Sequence, residues 1–194
     1  MEAAGADRTL RADAARNRER ILVAAGEVFS EQGLDASVAE IAKRACVGKA
    51  TIFRSYPSKE HLIAAVSCER VRWVEDLAVT ALDQDDAWAA FTQLITELAE
   101  HHACDLSHVG ALTHTAGFPR LDQAKARANA ALSRLMERAK EQGEMRPDAT
   151  PDDIRVMFKG VTAAMTDAER RDVEVWRRWA ELFVNAFRAD PALP

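Results

Sequence analysis

Three side chains at helical spacing, His101, Cys104 and His108, are of the types that hold a borderline or soft metal ion. At i, i+3 and i+7 they share one face of a continuous helix, with Asp105 beside them, and imidazole with thiolate suits zinc or copper. Against this stand a break in the helical pattern near residues 104–105 and the lack of a second ligand pair at metal-binding spacing. Helix-end and surface roles for His101, His102, His108 and His114 are the competing reading, and we expect neither a bound metal nor a cofactor. Cys46 is a second candidate, either as a redox switch whose oxidation adds bulk and polarity, or as a small packed thiol. The third set is cationic. Lys43, Arg44, Lys49, Arg54 and Lys59 fall within residues 41–59, a stretch with no acidic residue. A short basic helix pair in an otherwise acidic chain has the charge pattern of a DNA-reading head. Catalytic chemistry has no such footing. There is no Gly-rich phosphate loop, Ser nucleophile elbow or HExxH pair, and the Glu-x-x-His pairs of di-metal bundles are missing too. No catalytic residue is nominated, and an enzyme is not expected.

The elements that must carry the basic residues can be read locally. Ser37 is a good helix N-cap, with Glu40 at the capping-box distance. Val38, Ile41, Ala42 and Ala45 then form one narrow apolar stripe, enough for about two helical turns. The run Ala45-Cys46-Val47-Gly48 breaks the period, and Gly48 suits a turn or the cap of the next helix. That helix covers residues 49–55, and Pro57 with Ser58 stops it. Two short helices joined by a tight turn make a helix-turn-helix. With Ile52 as the buried residue, Ala50 and Arg54 point most nearly outward, Thr51 and Phe53 flank that face, and Lys49 opens the helix. N-terminal residues of a recognition helix meet base edges in the major groove. Lys49 suits guanine O6 or N7 and Ala50 a thymine methyl, while Arg54, Thr51 and Lys59 suit phosphates. The alternative is a structural helical hairpin with a solvated basic face.

Composition bounds the rest. The 194 residues carry a net charge of −5, unevenly spread. Residues 1–60 hold ten Lys or Arg against nine Asp or Glu, and the remainder 16 against 22. Cys46, Cys68 and Cys104 are irregularly spaced and make no disulfide framework, which fits a reducing cytoplasm. The N-terminus lacks the apolar core of a signal peptide, and no apolar run approaches the roughly 20 residues of a membrane span.

In chain order, residues 1–14 are small, polar and charged and are expected to form a disordered arm. Its arginines, with Arg16, Arg18 and Arg20 on the first helix, either touch DNA or are solvated. The first helix runs to Gln32 and stops at Gly33, with Ile21, Leu22, Ala25, Val28 and Phe29 on its buried face. A fourth helix from Lys59 to about Leu82 links the two halves of the chain. Further helices are expected around Trp88 to Leu98, over residues 106–115 and 120–142, from a Thr150-Pro151 start through Met165, and from Val175 to Phe187. The chain reads as all-α, about nine helices, with a head over residues 15–66 and a helical domain over 67–194.

The stretch Ala45-Cys46-Val47-Gly48-Lys49-Ala50-Thr51-Ile52-Phe53-Arg54-Ser55-Tyr56-Pro57-Ser58-Lys59-Glu60, with Leu62, resembles the TetR family of bacterial transcriptional regulators. The likeness covers residues 16–66; beyond these the chain matches only in length and helical layout. It implies a homodimeric regulator, by family default a repressor, that binds a double-stranded DNA operator and answers to a small-molecule effector. It implies DNA contacts at Ser37, Lys43, Gly48, Lys49, Ala50, Thr51, Phe53, Arg54, Tyr56 and Lys59. Family effector pockets lie among helices four to eight, which nominates Trp73, Trp88, Phe91, Met136, Phe158 and Met165 as lining, with ordinary core as the alternative. The last two helices would pair with their copies through Gly160, Ala163, Ala164, Trp176, Trp179, Phe183 and Phe187, or else bury only an intrachain core. Three positions depart from the family pattern. Cys46 stands where glycine is usual. Phe53 replaces the usual tyrosine, whose hydroxyl typically reaches DNA. Tyr56 replaces a phenylalanine, and its hydroxyl needs a partner if buried.

Overall fold

A computed structural model of the chain describes residues 2–104 and 117–189, with side chains from residue 13 onward except those of Cys104 and Asp167. Among the described residues there are nine helices: α1 (Glu2–Gln32), α2 (Val38–Arg44), α3 (Lys49–Ser55), α4 (Lys59–Ala81), α5 (Ala87–Cys104), α6 (Pro119–Glu141), α7 (Pro151–Ala164), α8 (Asp167–Arg170) and α9 (Val173–Phe187). None of them is long and apolar enough to cross a membrane.

α1 begins at Glu2, where a disordered arm was expected over residues 1–14. The arm is rich in alanine, and the first proline of the chain is Pro57, so no proline stops the helix, although Gly5 weakens it. Further along α1, Ile21, Ala24, Ala25, Val28 and Phe29 are buried at steps of three and four. Gly33, at φ 76, ends the helix, and its N–H donates to the Phe29 carbonyl at 2.9 Å. These side chains, with Ile41, Ala42, Ala45, Ile52, Tyr56 and Leu62, form the core of the head.

α4 is 23 residues long, roughly 34 Å. It starts in the head, capped by Ser58, whose Oγ accepts from the His61 N–H at 3.4 Å. It then runs beside α6 and also touches α1 and α5. Ala64, Cys68 and Val71 on α4 pack with Leu121, Ala124 and Ala128 on α6 in a small core between the two larger ones. Beyond it, α5 packs along α9. The C-terminal end of α4 is closed from α6: the Arg138 guanidinium donates to the carbonyls of Leu82 and Gln84, the latter at 2.8 Å.

The expected helix over residues 106–115 lies outside the described residues. The short helix α8 was not anticipated, although Thr166 and Glu169 make a complete capping box. α7 has the start expected of it, with Thr150 and Asp153 in a capping box and Pro151 in the first turn. An isolated antiparallel bridge pairs Met145 with Arg188, and Arg146 N–H donates to Phe187 O at 3.0 Å. This bridge ties the end of α9 to the loop before α7.

Candidate nucleic-acid interface

The turn between α2 and α3 decides where the recognition helix points. Ala45 caps α2. The Val47 N–H reaches back to the Ala42 carbonyl at 3.0 Å, and the Cys46 N–H to the Lys43 carbonyl at 3.1 Å. This paired pattern is a Schellman closure, which needs a left-handed residue just past the cap. Cys46 occupies that position at φ 52, the one positive-φ non-glycine among the described residues. A β-carbon there is strained, so the turn must be held from elsewhere. Arg20 on α1 does this, donating to the Ala45 carbonyl at 2.7 Å.

α3 then begins at Lys49 with Gly48 as its N-cap. A β-carbon at Gly48 would meet only Thr51 Oγ1, at 4.0 Å, so the backbone here is open on its outer side. Ile52 is 1% exposed and anchors the helix. Lys49, Ala50, Phe53 and Arg54 are exposed, and Thr51 is half-buried. On α3, Phe53 presents its ring to solvent at 45% exposure. Lys43 is exposed at the end of α2, and Lys59 is half-buried at the first position of α4. Ser37 is exposed, and its Oγ accepts from the Glu40 N–H at 3.2 Å, so the hydroxyl is already engaged as a cap.

Two basic residues of the acid-poor stretch and of α1 are spent on structure. Arg44 makes a two-pronged pair with Glu31 at 2.7 and 3.0 Å and reaches Glu27 at 3.3 Å, locking α2 onto α1. The hydrogen bond from Arg44 holds the Glu31 carboxyl below its ordinary range. Arg20 is committed to the turn. The remaining cations of the stretch are Lys43, Lys49 and Arg54, exposed on α2 and α3, and Lys59, half-buried at the start of α4. The exposed residues Gly48, Lys49 and Ala50 at the start of α3 suit phosphate and base-edge contact.

Tyr56 corrects the expected contact set. It is 6% exposed, packed into the core of the head, with the Arg18 guanidinium 5.8 Å from its ring centroid. It sits at the C-cap of α3, three residues past Phe53 and behind the outer face. Its hydroxyl is buried and makes no close hydrogen bond, with Arg18 as its charged neighbour.

Residues 21–66 match the family model of bacterial regulatory proteins of the tetR family. Residues 84–189, more than half of the chain, match the model described as the C-terminal domain of SbtR-like transcriptional regulators. The chain belongs to the TetR family. A TetR regulator of known structure from Mycobacterium vanbaalenii is 31% identical, over 93% of this chain and 99% of that one, with a TM-score of 0.62. The TetR regulator SCO0520 from Streptomyces coelicolor is 28% identical, over 89% and 98%, with a TM-score of 0.64. The uncharacterized HTH-type transcriptional regulator YvdT of Bacillus subtilis (strain 168) is 36% identical over 96 residues, 43% of this chain and 46% of that protein. The chain thus spans just under half the length of that curated relative. The helix-turn-helix of this TetR chain is the DNA-binding head of a transcriptional regulator.

In the regulatory half of the TetR chain, the six residues expected to line a pocket all belong to one cluster. Phe91, Met136, Phe158 and Met165 are buried, and Trp73 and Trp88 pack half-buried against them. Two clefts among the described residues lie elsewhere, against α1. Arg70 is buried on α4, its guanidinium 4.6 Å from the Trp73 ring centroid, and it donates to the His101 imidazole. His101 thus takes part in an α4–α5 contact. Among the described residues no three potential ligands converge on a metal position; His108 and the Cys104 side chain lie outside them.

The expected dimer residues divide into two groups. Trp176, Phe183 and Phe187 are 0–4% exposed and belong to the chain's own core, which removes them from a partner-facing surface. Trp176 is fully engaged: its Nε1–H donates to Arg170 O at 2.9 Å and its ring stacks on Phe158. Gly160, Ala163, Ala164 and Trp179 are exposed, joined by Val156 and Leu182, which the sequence reading missed. Along α9, Trp176, Ala180, Phe183 and Phe187 face inward, while Trp179, Leu182 and Ala186 follow at three- and four-residue steps on the outer side.

Proposed function

We propose that the chain is a homodimeric repressor that grips a pseudo-palindromic operator and is released by a small-molecule effector bound in its helical regulatory half. The observation that carries the dimer is the outer face of α7 and α9. Val156 at 54%, Leu182 at 45% and Trp179 at 36% are exposed on these helices, as are Gly160 and Ala163. Large apolar side chains grouped with small ones form a surface suited to close helix packing between copies. Two heads related by a two-fold axis would enter major grooves about 34 Å apart or a multiple of that.

The regulatory half favours a largely apolar effector with one or two polar handles, given its aromatic side chains, the buried Arg70 and the half-buried His101. α4 is the mechanical connection. It carries Lys59 at its DNA-side start and Arg70 and Trp73 in the regulatory half, so a ligand that moves its middle changes the placement of the head. Linkage then requires operator DNA to weaken effector binding by the same factor that effector weakens operator binding. The protein would act in the cytoplasm, where its DNA is.

The test is sedimentation of the full chain with and without a bound duplex. A dimer that keeps its mass on one operator and loses it on Leu182→Glu supports the reading. A protein that remains monomeric on specific DNA overturns it.

A further inference from the structure

A phenyl ring left in water on a surface that meets DNA has one kind of contact to make. Among the described residues Phe53 is the one large apolar side chain exposed on α2 or α3. Ala50, three residues earlier, is exposed as well. Residues at that spacing lie on one side of a helix, with β-carbons about 5–6 Å apart. With Ile52 buried, a turn of about 100° per residue sets Ala50 and Phe53 on the outer side of α3. Gly48, exposed at the N-cap, adds no side chain to that approach.

Charge surrounds this apolar pair. Lys49 precedes Ala50 and Arg54 follows Phe53, both exposed, and residues 41–59 contain no acid. A duplex answers both parts of the pattern. Its phosphates take the cations, and its major groove offers one apolar group, the 5-methyl of thymine. Phenylalanine has no donor or acceptor, so the polar base edges give it nothing. Packing on the methyl takes ring and methyl out of water together. Stacked bases are about 3.4 Å apart, so the ring and the Ala50 methyl cover neighbouring base pairs.

We propose that Phe53 is a specificity-determining residue of the head, its ring packed on the 5-methyl group of a thymine in the half-site. Recognition at that position then depends on the methyl and not only on the base pair. The proposal rests on α3 entering the major groove, and goes beyond it by naming the base and the group read. A cytosine in the same place presents an amino donor and no methyl, so the ring rejects it. Lys49 and Arg54 supply the charge that brings the helix to the groove, and the ring supplies discrimination without a hydrogen bond.

The test uses the full-length protein and the duplex it selects from a random pool at near-physiological salt. Each thymine of that duplex is replaced in turn by deoxyuridine, which pairs alike and lacks only the methyl. Binding by the parent should fall about fourfold at the thymine facing Phe53, the loss of one buried methyl contact. In Phe53→Ala, shown to be folded by its circular dichroism melt, thymine and uracil at that position should bind alike. 5-Iodouracil placed there and irradiated in the complex should crosslink to Phe53, which reports the contact even if Phe53→Ala binds too weakly to measure. The proposal is overturned by a selected site with no uracil-sensitive thymine, by a uracil penalty that persists in Phe53→Ala, or by a crosslink to another residue. A pool that stays random overturns the reading of the head and the proposal with it. A selected site that is indifferent to uracil overturns the proposal alone.

Discussion

Arg20 and Ala45 are joined across 25 residues of sequence by a 2.7 Å hydrogen bond, from the guanidinium on α1 to the last carbonyl before the helix-turn-helix turn. The next residue is Cys46 at φ 52. The placement of α3 therefore rests on a strained residue held by a distant arginine. Cys46→Gly should stabilise the head by about 1 kcal/mol, the strain relieved less the added freedom of glycine in the unfolded chain. Arg20→Ala should cost about 1 kcal/mol and weaken DNA binding with it. Urea midpoints at constant slope give both numbers. A destabilised Cys46→Gly would show that the thiol contributes more by contact than the backbone loses by strain.

Tyr56→Phe should be neutral to slightly stabilising, by up to about 1 kcal/mol, because it removes a buried hydroxyl that makes no close hydrogen bond and has only the Arg18 guanidinium beside it to offset its desolvation. A pH signature goes with it. Burial raises the Tyr56 phenol above its ordinary 10.0. The folded chain keeps this proton to higher pH than the unfolded chain does. The contribution is therefore full below pH 10.0 and is lost as pH climbs through the folded value. The stability difference between parent and Tyr56→Phe should be flat below that point and widen above it. Thermal melts of the two proteins across alkaline pH test this, and parallel curves throughout would contradict it.

The two faces of α9 should respond differently to mutation. Leu182→Glu or Trp179→Glu places charge on the outer face and should separate the dimer while leaving a folded chain. Trp176→Ala empties the core and should cost about 3–5 kcal/mol of stability in either state. Circular dichroism melts together with sedimentation separate the outcomes. A Leu182→Glu protein that unfolds outright would mean that this face belongs to the fold of a single chain.

On the DNA face, Lys49→Ala should change sequence preference, since that side chain opens the exposed N-terminal turn of α3. Lys59→Ala should weaken all duplexes alike and flatten the salt slope by about one. Phe53→Tyr should tighten binding by restoring a hydroxyl on an exposed ring of α3. Fluorescence anisotropy at several salt concentrations reads all three. A Lys59 variant with an unchanged slope would remove that residue from the contacts.

The helix boundaries were legible because caps are local chemistry. Ser37, Gly33, Ser58 and the Thr150-Pro151 pair each act within four residues of themselves, and each sits where the sequence placed it. The same local signal, Thr166 with Glu169, marked α8 and was overlooked. What sequence could not deliver was partnership at a distance. Arg44 reads only as one basic residue among five in the stretch, and its carboxylates lie 13 and 17 residues away on α1. α9 is apolar over so wide an arc that periodicity alone could not say whether Trp176 or Trp179 faced the core. The packing of α5 against α9 decides it. The exchange of tyrosine and phenylalanine between positions 53 and 56 was plain in the sequence. That it buries a hydroxyl beside Arg18 of α1 is visible only in the folded head.

The measurement that bears most directly on the account is selection of bound sequences from a random duplex pool by the full-length protein at near-physiological salt. A two-fold symmetric site is expected, with half-sites spaced for two heads on one face of the duplex and a changed preference in Lys49→Ala. A pool that stays random while the protein is folded and dimeric would contradict it.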